Sequence, residues 1–263
     1  MKYLKGFLIN LQFFTVILVP FELPMDKKHL NNAVKTFPLL GLFQGVVYAA
    51  LLYTLNQWTP FSTLAIAFAL WVTTILLTGG IHLDGWMDTC DAYFSFRSID
   101  KRLDIMDDPR TGAFGVLSII LLLSARFLFI YEISMNLSIT SYLLIVLIPL
   151  FSKSMMGILL LTVKPAKDEG LGALFRNATG MTTLTIYPVY LFVAILFLSL
   201  VEDKVILPII LFIAVTVGCY LFFKKKTVRW FNGITGDVLG ASVEGVELML
   251  WMTLWLLHYF AMG

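Results

Sequence analysis

The sequence predicts an all-α, polytopic integral membrane protein, with about seven transmembrane helices preceded by a short N-terminal interfacial or re-entrant helix. Three observations carry that prediction: an excess of apolar residues, apolar runs of membrane-crossing length, and a one-sided distribution of Lys and Arg. Of 263 residues, 59% are apolar and only 14% are charged, and the mean hydropathy is +0.87. Soluble globular chains hold roughly 45–50% apolar residues, so the surplus here must face lipid. The 22 Phe and 6 Trp among so few charges exclude a disordered or fibrous chain. Cys90 stands beside carboxylates and Cys219 in an apolar run, with no other cysteine to build a disulfide scaffold.

A helix needs about 20 apolar residues to cross a hydrocarbon layer roughly 30 Å thick. Runs that qualify are 36–55, 61–81, 112–133, 140–163, 181–202, 205–223 and 237–262, the last opening on carboxylates. Breaks such as Asn56-Gln57-Trp58-Thr59-Pro60 and Asn136-Leu137-Ser138 separate them. The stretch 4–19 is shorter and carries Lys5, Asn10 and Gln12, which suits a helix lying in the interface. Val19-Pro20-Phe21-Glu22 lacks the small residues of a signal-peptidase site, so cleavage is not expected. Neither a repeat nor a linker divides the chain, and residues 1–263 are expected to form one membrane-embedded domain.

Translocated loops are depleted of Lys and Arg. Sixteen of the nineteen fall in the segments 1–35, 82–111, 164–180 and 224–236. The opposite loops hold only Lys204, while Arg126 and Lys153 lie inside spans. Seven crossings with a cytoplasmic N-terminus and an external C-terminus fit this alternation.

Seven of the seventeen acidic residues crowd into the loop 82–111. Asp84, Asp88 and Asp91 stand at i, i+4 and i+7, within about 60° of one another on a helix. Asp100, Asp104 and Asp107 repeat the spacing, with Asp108 adjoining. Carboxylates stacked on one face repel unless a cation sits among them, and oxygen-only clusters suit Mg²⁺, with Mn²⁺ as a substitute. Magnesium held by few carboxylates completes its shell with water and substrate phosphate, so a phosphorylated substrate is expected. Arg110 and the Gly112–Gly115 turn at the start of a helix are placed to receive an anion, or else the two glycines only relax the loop-to-helix turn. Lys153, deep in its span, calls for a partner or a wet cavity, and a cavity role is favoured. Asp237, Gly240, Ala241 and Glu244 share one face of the last span, joining small residues to acids that must be paired, hydrated or metal-bound. His82 suits a ligand, a base, a hydroxyl-binding group or a helix-end partner.

The run Gly79-Gly80-Ile81-His82-Leu83-Asp84-Gly85-Trp86-Met87-Asp88-Thr89-Cys90-Asp91, followed by Ile105-Met106-Asp107-Asp108-Pro109-Arg110-Thr111-Gly112-Ala113-Phe114-Gly115, resembles the cobalamin synthase (adenosylcobinamide-GDP ribazoletransferase) family. Phe37-Pro38-Leu39-Leu40-Gly41, Glu169-Gly170-Leu171-Gly172 and Thr235-Gly236-Asp237 with Gly240-Ala241 and Glu244 extend the likeness, in order, over nearly the whole chain. The resemblance implies a multi-span inner-membrane enzyme of a prokaryote that joins adenosylcobinamide-GDP to α-ribazole or its 5′-phosphate, releases GMP and requires Mg²⁺. The implied partners are these small molecules and the lipid bilayer, with no nucleic acid. The chain departs from the family at Ala92 and Asn232, where Gly is usual, at Val16 after Thr15, where Arg is usual, and at Lys153, where Arg is expected.

The reading that follows is in-line phosphoryl transfer on the cytoplasmic side. Asp84, Asp88 and Asp91 are expected to hold Mg²⁺ and to be catalytic, with Asp104 and Asp108 supporting it or a second ion. Asp91 is the expected proton acceptor. His82, Arg97, Arg110, Gly112, Gly115, Lys153, Asp237 and Glu244 are the expected substrate contacts. Two rivals use the same residues: another transferase with paired aspartate motifs, of the CDP-alcohol or prenyl type, and a transporter built on Arg126, Lys153, Asp237 and Glu244.

Overall fold

The computed structural model describes residues 2–261; the last residue of the expected final run, Met262, and the C-terminal Gly263 lie outside them. The elements are α1 (Lys2–Phe14), α2 (Lys27–Lys35), α3 (Phe37–Trp58), α4 (Thr63–Leu76), α5 (Ile81–Phe94), α6 (Ile99–Met106), α7 (Ala113–Met135), α8 (Ile139–Thr162), α9 (Leu171–Asn177), α10 (Tyr187–Val201), α11 (Ile206–Phe231) and α12 (Gly236–Phe260). Short 3₁₀ turns, Met181–Ile186 and Asp203–Val205, lead into α10 and α11. The described residues form no strand; a single isolated bridge joins Pro165 to Ile234.

Local chemistry marks the helix ends. Asp26 caps α2 by accepting from the backbone N–H of Lys28 and His29. Pro38 sits in the first turn of α3, where its missing N–H costs nothing. Ser62 caps α4, and Ser138 with Ser141 forms a reciprocal capping box on α8.

Packing then sorts the helices by depth. Helices α8 and α12 are buried along most of their length, whereas α7, α10 and α11 leave most of their apolar side chains at least partly exposed, as lipid-facing helices do. Helices α3 and α8 approach most intimately. A Cβ at Gly41 would fall 2.2 Å from the Pro149 carbonyl oxygen, and one at Gly45 2.1 Å from that of Val146, so only glycine admits the contact. Asn10 ties α1 to α2 by donating to the Ala33 carbonyl (2.8 Å) and the Thr36 hydroxyl (3.0 Å), which places the N-terminal helix against the bundle.

Among the described residues six helices are long and apolar enough to cross a membrane, or seven if the bent pair α4–α5 counts as one span. The run expected to cross over 61–81 is interrupted. Helix α4 stops at Leu76, Gly79 and Gly80 adopt left-handed φ of 64° and 77°, and α5 leaves at 77°. The connectivity runs α4 from one end of the bundle to the other. It starts beside the end where Asn56 meets Tyr142, Ser141 meets His258 and Tyr259 meets Glu132. It finishes beside the end where Lys167 binds Asp107 and Arg102 donates to the Trp230 carbonyl. We therefore read α4 as the spanning part and α5 as lying across the second end of the bundle. Three of the four Lys/Arg-rich segments meet directly at that end, and α2 joins them through α9.

Candidate active site

The centre of this end is the crossing of α5 over α12. A Cβ at Gly85 would lie 2.7 Å from the Asp237 carbonyl oxygen, and one at Gly240 3.2 Å from the His82 Cα, so two glycines let the backbones close. Thr235 caps α12 by accepting from the Val238 N–H, and this fixes Asp237 in the first turn. Closure brings Asp84 and Asp237 into the wall of one cavity of about 300 Å³. Its polar side chains are His82, Asp84 and Asp237, and aromatic rings of Phe14, Phe37 and Phe175 line much of the remainder. The first turn of α9 supplies Leu171 and Gly172.

Asp88 lies one helical turn beyond Asp84. Its carboxyl is held up to about 7, first by burial and then by the charges of Asp84, Asp237 and Asp91. The neighbourhood thus gathers negative charge with no basic side chain to offset it at Asp88. Among the described residues, however, no three His, Cys, Asp or Glu converge closely enough to hold an ion by themselves. The donor set is oxygen-only and short of ligands, which fits an ion that brings water and phosphate oxygens with it.

The five carboxylates expected to ligate metal do not form one cluster. Asp91 turns away: its oxygens accept the backbone N–H of Gly112 (2.7 Å) and Gly115 (2.8 Å), so the anion at the N-terminus of α7 is this side chain. That geometry also uses the N–H groups expected to meet substrate, and Cβ atoms at Gly112 and Gly115 would sit 2.5 Å and 2.4 Å from the Asp91 carboxylate oxygens. Asp104 pairs with Lys101 on the exposed face of α6. Asp108 accepts from Arg110, whose hydrogen bonds hold the Asp108 carboxyl down at about 2. Arg110 and Arg97 are exposed, at the same end but outside the cavity wall.

Lys153 departs furthest from its expected place. It is 0% exposed and donates to Glu247 (3.2 Å), which also accepts from Ser152 (2.8 Å). Glu244, expected to contact substrate, is instead paired with Arg126 deep in the bundle. Two cations and two acids on α7, α8 and α12 therefore neutralise one another where a lone charge would be costly. Those pairs also occupy most of the charges on which a transporter pathway would be built.

Sequence reasoning missed the aromatic wall. Phe14 stacks on His82 (ring centroids 5.7 Å, 17° between planes) and meets Phe37 edge-on at 5.7 Å and Phe175 at 6.0 Å. Nothing in a chain with 22 Phe singles out these three; the only sequence signal was that Phe37 opens one of the family-like stretches.

An all-helical bundle of apolar spans, with a carboxylate-bearing cavity at one end, defines a polytopic membrane protein whose site is built where the helices emerge. Its kinship is specific. The sequence profile of the cobalamin-5-phosphate synthase family matches residues 6–255, and the chain belongs to that family. It is 39% identical over 265 residues to an adenosylcobinamide-GDP ribazoletransferase of Geobacillus sp. (strain WCH70), and 41% identical over 263 residues to one of Geobacillus thermodenitrificans (strain NG80-2), covering 98% of each chain in both cases. A relative of the same description from Clostridioides difficile (strain 630) is 31% identical over 263 residues, with 97% of this chain covered. No solved structure matches significantly.

Proposed function

We propose that this protein is an adenosylcobinamide-GDP ribazoletransferase of a prokaryotic cytoplasmic membrane, joining adenosylcobinamide-GDP to α-ribazole or its 5′-phosphate with release of GMP. The single observation that carries this reading is whole-length kinship to relatives of that description. The site end carries the Lys/Arg-rich segments, which favours a site open to the cytoplasm.

In the proposed reaction the ribazole hydroxyl oxygen bonds to the cobinamide-bearing phosphorus while the phosphoanhydride bond to GMP breaks. Asp84 and Asp237, both on the cavity wall, are the residues that would hold Mg²⁺. When bound, the ion supplies charge neutralisation at the diphosphate oxygens. Asp88, one helical turn beyond Asp84, takes the hydroxyl proton. Asp91 holds the start of α7 against α5 and so fixes the face on which Asp84 and Asp88 stand.

The test is reconstitution. Purified protein in liposomes, given adenosylcobinamide-GDP, α-ribazole and Mg²⁺, makes a cobamide and GMP in equal amounts, and EDTA stops the reaction until Mg²⁺ is restored. A well-folded sample that makes neither product would overturn the reading, and undiminished turnover in EDTA would overturn its metal.

A further inference from the structure

The cavity beside Asp84 and Asp237 has a second character that phosphoryl transfer does not use. Behind the two carboxylates its lining is apolar and aromatic, with Phe14, Phe37, Phe175, Met156 and Leu160 forming much of the wall. Set into this wall is one further polar side chain, His82, which is 3% exposed and whose ring makes no hydrogen bond among the described residues. A buried unpaired polar atom costs stability, and one on a cavity wall is satisfied when a ligand supplies the missing partner.

We infer that this pocket is the seat of the acceptor's heteroaromatic base, and that His82 reads the base by donating a ring N–H to its one free nitrogen. The inference rests on the transferase reading above. Volume and valence both select this part of the substrates. About 300 Å³ is at the low end of small-molecule sites and far too small for a corrin ring. Guanine carries donors and acceptors on several edges and would strand most of them against phenylalanine and leucine. A dimethylbenzimidazole joined to ribose through one nitrogen is flat and apolar and keeps a single acceptor, so it matches an aromatic box with one ring N–H to offer. One ribose separates base from hydroxyl, so a base in the box leaves the hydroxyl near Asp84 and Asp237 on the same wall.

The test compares α-ribazole with its dimethylindole analogue, in which the free nitrogen is replaced by C–H. With wild-type protein in liposomes, kcat/KM for the indole acceptor should fall about tenfold, the worth of one buried hydrogen bond. In His82→Phe, which keeps a stacking ring, the two acceptors should become equal while KM for adenosylcobinamide-GDP stays within about twofold. Equal use of both acceptors by the wild type would overturn the inference, and this arm does not depend on the variant folding. A His82→Phe effect confined to KM for adenosylcobinamide-GDP would assign the pocket to guanine and overturn it as well. Failure of the transferase reading would look different, because the wild type would then make no cobamide from either acceptor.

Discussion

At the scale of single residues, three aspartates one and two turns apart on α5 do different work. Asp84 lines the cavity, Asp88 stands one turn further along α5 amid the charges of Asp84, Asp237 and Asp91, and Asp91 caps the next helix. The difference is measurable. Asp84→Asn and Asp237→Asn keep side-chain shape while removing the charge that would hold Mg²⁺, and each should lower turnover by about a hundredfold or more with insertion and melting temperature unchanged. Asp91→Asn leaves one oxygen to accept from two N–H groups and removes the charge that complements the helix dipole. It should cost about 1–2 kcal/mol, seen as a lower melting temperature in detergent, with residual activity per folded molecule. Activity assays beside thermal melts separate the cases: an Asp91→Asn protein that melts normally but is inert would restore Asp91 to the chemistry.

At the scale of elements, the buried pairs Arg126–Glu244 and Lys153–Glu247 fasten α12 to α7 and α8. Helix α12 carries Asp237 and Gly240 into the site, so these pairs hold the site's second wall in register with α5. Removing one partner strands a buried charge, at a cost of about 3–5 kcal/mol. Lys153→Met should therefore melt much earlier, with loss of active molecules and no selective rise in KM. Lys153→Met combined with Glu247→Gln should recover most of that loss, because no charge is left unpaired. A Lys153→Met protein with normal melting and weakened substrate binding would return Lys153 to a phosphate-binding role. The sequence shows why these residues were hard to place. Helical periodicity reveals which residues share a face within one helix, and it put Asp84 with Asp88 and Asp237 with Glu244. It does not reveal which helix lies opposite. The partner of Lys153 is 94 residues away and that of Arg126 is 118 away, and the anion at the N-terminus of α7 comes from 21 residues upstream. The Gly79-Gly80 break was visible as letters, but its left-handed backbone and the 77° turn are decided by packing.

At the scale of the whole molecule, the membrane acts as an external constraint that the chain answers with charge. Alternation of Lys/Arg-rich and Lys/Arg-poor connections calls for an odd number of passes, and the bundle places the α5–α6, α8–α10 and α11–α12 connections at one end and the α3–α4 and α7–α8 connections with the C-terminal end of α12 at the other. The weak point is α4, whose 14 residues extend about 21 Å, short of a hydrocarbon layer roughly 30 Å thick. A short span is accommodated by local thinning of the bilayer at modest cost, whereas a re-entrant α4–α5 would leave both ends of the pair on one side and reverse every later segment. Reporter fusions decide between them. Fusions after Lys101, Lys167 and Lys226 should read cytoplasmic, while fusions after Thr59 and at the C-terminus should read external. Thr59 and Lys101 reading on the same side would make α4–α5 a re-entrant loop. In that case Asp84 and Asp237, separated by the four passes α7, α8, α10 and α11, would still share a side, and the fusions after Lys101, Lys167 and Lys226 would all read external while one at the C-terminus would read cytoplasmic.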